Sequence, residues 1–145
     1  MQVKIQKVRD DAQLPAYQTD GAAAVDLHAC LDGPVTLQAS KTAIIPTGVA
    51  IELPDGYEAQ VRARSGLAAK HAIGLANGVG TIDSDYRGEI SVILINWSDT
   101  DYVIEPGMRI AQLVVARYEK IEWQEAHEIN TATMRGQGKF GSTGA

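Results

Sequence analysis

Hydrophobic positions along the chain repeat with period two rather than with the 3.6-residue period of a helix. Val49, Ile51 and Leu53 alternate with their neighbours, and the stretch 57–63 alternates in the same way. Such alternation predicts half-buried antiparallel strands. The run 92–95 is instead continuously apolar and rich in β-branched residues, which predicts a strand buried on both faces.

Turn residues separate these strands at short, regular intervals. Pro-Asp-Gly occupies 54–56, Pro-Thr-Gly occupies 46–48 and Pro-Gly occupies 106–107, and further strands are predicted at 101–104 and 110–115. Many short strands with frequent turns indicate an all-β fold, a jelly-roll-like barrel or sandwich.

Helical signals are scarce. Residues 65–71 predict one short helix, with Ser65 as its N-cap. The segment 118–128 is compatible with a helix by composition, but the alternation of Ile121 and Trp123 with polar residues favours a strand.

Composition suits one compact domain: the chain has 145 residues, of which 45% are hydrophobic. We predict a core domain over 1–129 and a glycine-rich tail over 130–145 that is mobile until it closes over a ligand. The net charge of −5 argues against nucleic acid as a partner. Cys30 is the single cysteine, so no internal disulfide can form and a reducing compartment is the simpler expectation. No apolar segment is long enough to cross a bilayer, and residues 1–5 lack the apolar core of a signal peptide. We therefore expect a cytoplasmic protein without a membrane partner.

The segment Gly80–Ile90 contains the highest concentration of residues that could take part in catalysis. It contains three carboxylates, an arginine, a tyrosine and two glycines, immediately before the apolar run 92–95. Charges crowded at the mouth of a buried strand predict an active-site hairpin, although a solvated turn remains the plain alternative.

Two further segments offer donors for anions. Arg64-Ser65-Gly66 ends a strand and opens the short helix, where free N–H groups attract phosphate. The tail from Arg135 to Gly144 supplies cations, hydroxyls and one aromatic ring among glycines. The alternatives are an ordinary helix cap and a disordered end.

Two polar residues interrupt apolar runs. Gln112 lies between Ile110 and Val114, and Asp26 follows Val25. Hydrogen bonding within the core is the default explanation for Gln112, and a ligand or ordered water is the alternative. Because the three histidines are far apart in the sequence and no paired cysteines accompany them, no metal cage is predicted.

Five separated segments together resemble the five motifs of the trimeric dUTPase family. They span nearly the whole chain: 23–27, 64–68, 77–89, 107–113 and 135–144. The chain departs from the family pattern at Ala24, Ala63 and Lys139, where glycine, proline and glycine are usual.

The resemblance implies a β jelly roll that forms a homotrimer with shared active sites. It implies hydrolysis of dUTP to dUMP and pyrophosphate with Mg²⁺, which lowers dUTP and supplies dUMP for thymidylate synthesis. Asp83 would deprotonate the water that attacks the α-phosphorus, and Tyr86 would pack on the deoxyribose. Asp26 and Gln112 would hold Mg²⁺ through water, with no direct protein ligand. The substrate contacts implied are Arg64, Ser65, Gly66, Asn77, Thr81, Ile82, Asp83, Tyr86, Ser91, Gln112, Arg135, Phe140, Gly141, Ser142 and Thr143.

Within that set, the implied roles divide by part of the nucleotide. Backbone groups of 77–83 and of Ser91 would pair with uracil, and Phe140 would stack on it. Arg64, Ser65 and Gly66 would hold phosphates, while Arg135 and the hydroxyls at 142 and 143 would bind the γ-phosphate.

Two other functions fit parts of the pattern. A dCTP deaminase of the same fold would release ammonia from dCTP. A non-enzymatic β oligomer could bind nucleotides, but it would have no need for a general base, a sugar contact and a γ-phosphate site together.

Overall fold

A computed structural model describes residues 1–140 and 142, and in this part of the chain eleven strands accompany a single helix. The elements are β1 (Lys4–Lys7), β2 (Val25–His28), β3 (Val35–Leu37), β4 (Thr42–Pro46), β5 (Val49–Glu52), β6 (Tyr57–Arg62), α1 (Ser65–His71), β7 (Ile73–Leu75), β8 (Gly80–Ile82), β9 (Ser91–Asn96), β10 (Tyr102–Ile104) and β11 (Arg109–Arg117). The predicted all-β class and the position of the short helix are therefore confirmed. No helix in the described ranges has the length and apolar character needed to cross a membrane.

The strands form four antiparallel sheets. Their orders are β1-β5, β3-β10, β2-β11-β6-β8 and β4-β9-β7, so the described strands do not close into one continuous barrel. One core cluster of side chains, including Leu27, Leu94 and Ile110, joins the sheets, and these three residues are at most 1% exposed. In the four-stranded sheet β11 pairs with both β2 and β6, so it brings Asp26 on β2 near Arg64, which follows β6.

Strand β9 corrects one sequence prediction. Val92 and Leu94 are buried, but Ile93 is 36% exposed and its cross-strand neighbour Ile44 is 69% exposed. Burial on both faces was wrong for the single chain, because the core covers one side of the sheet and leaves an apolar outer face.

The segment 118–128 corrects a second prediction. The backbone N–H of Tyr118 donates to the carbonyl of Gly56 at 3.1 Å, and beyond this contact no strand forms among the described residues. Ile121 and Trp123 are largely exposed. The predicted strand was wrong because period-two alternation describes an extended chain, whereas a strand also needs a neighbour with which to pair.

Gly48 is a position where the fold requires glycine. Its φ is +72°, and an added Cβ would lie 2.6 Å from Cβ of Ala12 and 2.8 Å from Sγ of Cys30. We expect Gly48→Ala to lower the free energy of unfolding by about 2–4 kcal/mol, through backbone strain and overpacking together. Denaturant unfolding at matched protein concentration measures this loss.

Gly56→Ala is the matched control for Gly48→Ala. Gly56 has a similar φ of +80° but open space where a Cβ would lie. It should lose only the backbone contribution, about 1 kcal/mol. Equal losses in the two variants would show that packing against Ala12 and Cys30 does not matter.

Candidate active site

A cleft of about 330 Å³ lies at the start of β9 and the end of β8. It brings together five of the residues predicted from the sequence, and Ile44, Glu89, Ile90 and Ile93 complete its wall. The five are Thr81, Ile82, Asp83, Tyr86 and Ser91. Sequence reasoning missed Ile44, since nothing local connects residue 44 with residues 81–91.

Asp83 follows β8 directly and begins the turn that carries Tyr86. The backbone N–H of Tyr86 donates to the Asp83 carbonyl at 3.2 Å, which closes the turn. The Asp83 side chain is exposed, and within the described residues it forms neither an ion pair nor a side-chain hydrogen bond. Its carboxylate is therefore able to accept a proton or a hydrogen bond from a bound molecule.

The segment Gly80–Ile90 is not the hairpin that its sequence predicted. Strand β8 pairs with β6, whereas β9 pairs with β4 and β7. The segment therefore crosses from one sheet to another. Glycines and a turn are present, as in a hairpin, but the pairing partners come from distant parts of the chain.

Tyr86 is held against its own turn. Its hydroxyl donates to the carbonyl of Glu89 at 3.0 Å. An added Cβ on Gly88 would overlap the Tyr86 ring, so the ring packs directly on the Gly88 backbone. The aromatic face thus has a fixed position at the mouth of the cleft, next to Asp83.

The Glu89 carboxylate anchors the same turn to two other segments. It accepts from the backbone N–H of Gly48 at 2.8 Å and from Nε and Nη2 of Arg9 at 2.7 and 3.1 Å. Hydrogen bonding with Arg9 is the largest influence that lowers the pKa of Glu89 below its ordinary 4.5. Because folding lowers this pKa, the stabilising contribution is complete above about pH 4.5 and is lost as the pH falls through the folded-state value.

A second polar cluster surrounds Asp26 on β2. Its Oδ1 lies 3.2 Å from Nε of Arg64, and its Oδ2 lies 3.1 Å from Nη1 of Arg109. Arg64 also donates through Nη1 to the carbonyl of Arg109 at 3.0 Å. Two guanidinium groups share one carboxylate, so the cluster keeps one net positive charge, which suits an anion.

Gln112 extends this cluster along β11. It lies opposite Asp26 in the strand register, and its Nε2 donates to the carbonyl of Ala63 at 2.9 Å. Hydrogen bonding within the fold, the default explanation from the sequence, is confirmed. The bond also holds the short connection between β6 and α1, which contains Arg64.

Ser65 does not cap α1 as predicted. Arg64 occupies the N-cap position, and its carbonyl accepts from the backbone N–H groups of Leu67 and Ala68, both at 3.1 Å. The helix therefore begins at Ser65, one residue earlier than the capping pattern suggested. Ser65 and Gly66 are exposed beside the arginine cluster, where the Ser65 hydroxyl has room for a ligand.

His28 and Arg109 belong to this neighbourhood, although neither was predicted to have a role. They face each other across β2 and β11, and Nδ1 of His28 is buried without a hydrogen-bond partner in the described structure. Burial lowers the pKa of His28. Arg109 lies in the motif segment 107–113, so the sequence indicated that this region belongs to the site. The position of His28 beside it follows only from the pairing of β2 with β11.

The cleft and the arginine cluster of one chain are well separated. Ile82, at the edge of the cleft, lies opposite Ala59 on β6. Arg64 follows Ala59 by five residues, so in an extended chain the Cα atoms of Ala59 and Arg64 are about 16 Å apart. Asn77 is exposed outside the residues that line the cleft. The Asp83 cleft and the arginine cluster are therefore two separate features of one chain, each termed a half-site.

The tail contacts neither half-site within the described residues. Phe140 is fully exposed, and the side chain of Arg135 reaches the carbonyl of Gly138 at 3.4 Å. Ser142 donates its backbone N–H to Lys139. Gly141 and Thr143, both predicted substrate contacts, lie outside the described residues.

No group of three or more histidine, cysteine, aspartate or glutamate side chains converges on a metal position within residues 1–140 and 142. The two half-sites instead offer an open carboxylate in one cleft and a cationic cluster near an exposed hydroxyl. In an all-β protein, these features suit a phosphorylated small molecule as the ligand.

The chain belongs to the dUTPase family, whose model matches residues 10–144. It is 56% identical over 144 residues to the deoxyuridine 5'-triphosphate nucleotidohydrolase of Rickettsia felis, with 99% of this chain and 97% of that protein covered. The protein of the same name from Rickettsia conorii is 55% identical with the same coverage. A mutant of the Staphylococcus bacteriophage 80alpha dUTPase with dUpNHpp matches with a TM-score of 0.89, 25% identity and 99% coverage of both chains.

Proposed function

We propose that the protein is a dUTP diphosphatase that hydrolyses dUTP to dUMP and pyrophosphate through attack of water on the α-phosphorus. The observation that carries this proposal is the Asp83 carboxylate beside Tyr86 in one cleft, without an ion pair among residues 1–140 and 142, in a chain of the dUTPase family. Pyrophosphate release from dUTP, compared with dCTP, dTTP and UTP, is the direct test. Ammonia release from dCTP would instead support the deaminase.

Asp83 acts as the general base. Its carboxylate accepts the proton of a water molecule held beside the phosphate chain. Its exposure in the cleft, free of competing cations among the described residues, supports this role. Positioning of the water matters as much as basicity, because proton removal must coincide with attack at phosphorus.

The arginine cluster binds the phosphates. Arg64, Ser65 and Gly66 lie where a polyphosphate would meet a guanidinium, a hydroxyl and an approachable backbone. The residual positive charge shared by Arg64, Arg109 and Asp26 offsets the charge that develops on the departing pyrophosphate.

A shared active site in a homotrimer is the arrangement that we propose, and the separation of the two half-sites supports it. The Asp83 cleft and the arginine cluster lie near opposite ends of β6, about 16 Å apart along the strand and its extension. A neighbouring chain supplies the missing half. The exposed apolar face around Ile44 and Ile93 provides a surface that such a neighbour would bury.

Backbone groups rather than side chains recognise the uracil ring. Residues 77–83 and Ser91 border the cleft region, and Thr81, Ile82 and Ser91 line it directly. Backbone donors and acceptors fixed in strands distinguish the uracil edge from that of cytosine. Close packing of these backbone groups around the base would also exclude the 5-methyl group of thymine.

The tail completes the site as a lid. Phe140 stacks on uracil, while Arg135, Ser142 and Thr143 bind the γ-phosphate, with Gly141 allowing the close approach of the backbone. The full exposure of Phe140 supports this, because the ring has no partner in the described fold of the single chain.

Magnesium fits this site as an ion carried by the substrate. The described residues form no protein cage, and Asp26 keeps free lone pairs beyond its two arginine contacts. Asp26 and Gln112 would orient waters of the ion from adjacent strands. When bound, Mg²⁺ supplies charge neutralisation of the phosphates.

We expect Tyr86→Ala to weaken selection against ribonucleotides. Removing the ring opens space beside C2′, so the ratio of kcat/KM for dUTP over UTP should fall by about 10- to 100-fold. Steady-state kinetics with both nucleotides measure the ratio. Tyr17→Ala, at an exposed tyrosine outside both half-sites, is the control. An unchanged ratio in Tyr86→Ala would place recognition of the sugar elsewhere.

A further inference from the structure

The turn that carries Tyr86 is fastened to the fold through residues 89 and 90. The backbone N–H of Ile90 donates to Val49 at 2.8 Å, and Thr47 donates its backbone N–H and Oγ1 to the Ile90 carbonyl at 3.1 and 2.6 Å. Ile90 is 1% exposed. This buried attachment fixes one end of the turn.

Glu89 extends the attachment towards the cleft. Its Oε1 receives two hydrogen bonds, from Gly48 and from Nε of Arg9, and its Oε2 receives one from Nη2 of Arg9. Hydrogen bonds to ionised groups in a paired, forked geometry are stronger and more directional than neutral ones. The side chain of Glu89 is 23% exposed, so water competes less than it would at an open surface.

The position of Tyr86 depends on this residue. The Tyr86 hydroxyl donates to the backbone carbonyl of Glu89 at 3.0 Å, and its ring rests on Gly88. The carboxylate of Glu89 therefore orients the same residue whose carbonyl receives the Tyr86 hydroxyl. A chain of contacts runs from Arg9 through Glu89 to Tyr86.

We propose that Glu89 and Arg9 are positioning residues for selection of the sugar, which they achieve by fixing the Tyr86 ring against the space beside C2′. This proposal rests on the proposed function, because it presumes that Tyr86 contacts the deoxyribose. UTP differs from dUTP by one hydroxyl, so a small displacement of the ring is enough to admit it.

Glu89→Gln is the first test variant because it removes the charge and keeps the shape. We expect the ratio of kcat/KM for dUTP over UTP to fall by about tenfold, mainly through improved use of UTP. Arg9→Gln should lower the ratio in the same direction without altering the cleft wall. Arg9→Lys, which keeps the charge but lacks the fork, should restore part of the ratio.

Glu52→Gln is the matched control. Glu52 pairs with Lys4 at 3.0 Å on the exposed β1-β5 sheet, and the pair involves none of the residues of the Tyr86 turn. It should leave the ratio unchanged. Glu89→Gln in a Tyr86→Ala background should likewise lower the ratio no further, because residues that act through one another are not additive.

Two results would overturn the proposal: an unchanged ratio in both Glu89→Gln and Arg9→Gln, or an equal loss of activity towards dUTP and UTP, which would indicate a structural role alone. If Glu89→Gln does not fold, Arg9→Gln decides, since Arg9 is half-exposed. Failure of the proposed function is distinguishable, because the unaltered protein would then fail to release pyrophosphate from dUTP.

Discussion

Asp83→Asn should lower the rate of dUTP hydrolysis by about 10²–10⁴-fold, the usual contribution of a general base, while binding of the nucleotide is largely retained. The amide keeps the size and the hydrogen-bonding reach of the side chain but cannot take a proton from water. The Asp83 carboxylate has no ion pair in the described structure, so this substitution leaves no cation unpaired. Single-turnover kinetics with dUTP isolate the chemical step.

Asp85→Asn is the matched control for Asp83→Asn. Asp85 is an exposed carboxylate in the same turn, and it does not line the cleft. It changes the net charge equally and should retain nearly full turnover. Near-normal turnover in Asp83→Asn, or an equal loss in both variants, would remove Asp83 from the role of base.

The local elements of this fold were predictable because they depend on nearby residues. Alternation over 57–63 predicted β6, which covers Tyr57–Arg62, and the small residues after Arg64 predicted α1. What these patterns do not contain is the partner of each strand. The same alternation at 118–128 therefore predicted a strand that has no partner in the described structure.

The site shows the same division between local and distant information. Asp83 and Tyr86 lie in one short turn, so their proximity could be predicted. The contact between Asp26 and Arg109 joins residues that are 83 positions apart, and it follows from the pairing of β2 with β11. No local pattern reveals such a register, which is why Arg109, Glu89 and Arg9 received no role.

The half-sites also explain why family motifs scattered over the chain act together. Asp26 lies within β2 and Gln112 within β11, and β11 connects the strand of Asp26 with the strand that leads to Arg64. The Asp83 cleft lies at the other end of β6. In the proposed homotrimer catalysis depends on assembly, so conditions that dissociate the chains should abolish turnover before they unfold the strands.

Removal of residues 135–145 should leave the fold intact and reduce kcat by about 10²-fold or more, as expected when γ-phosphate contacts and exclusion of water are lost together. The described part of the removed segment contributes little to the core: Phe140 is fully exposed, and Arg135 bonds within the segment itself. The midpoint of denaturant unfolding should therefore not change. Stopped-flow or steady-state pyrophosphate release gives kcat for both forms.

Calorimetric binding affinities distinguish a lid that contacts the γ-phosphate from one that only covers the uracil ring. Truncation should weaken binding of a non-hydrolysable dUTP analogue more than binding of dUMP, because Arg135 forms a charge-assisted bond only where a γ-phosphate is present. Phe140→Ala in the full chain is the matched variant, and it should weaken both ligands alike because both carry uracil. The glycines of 136–144 make ordering of the tail costly, so the triphosphate must supply the compensating contacts. Equal losses for the two ligands on truncation would show that the tail does not read the γ-phosphate, and retained turnover would show that it is not a catalytic lid.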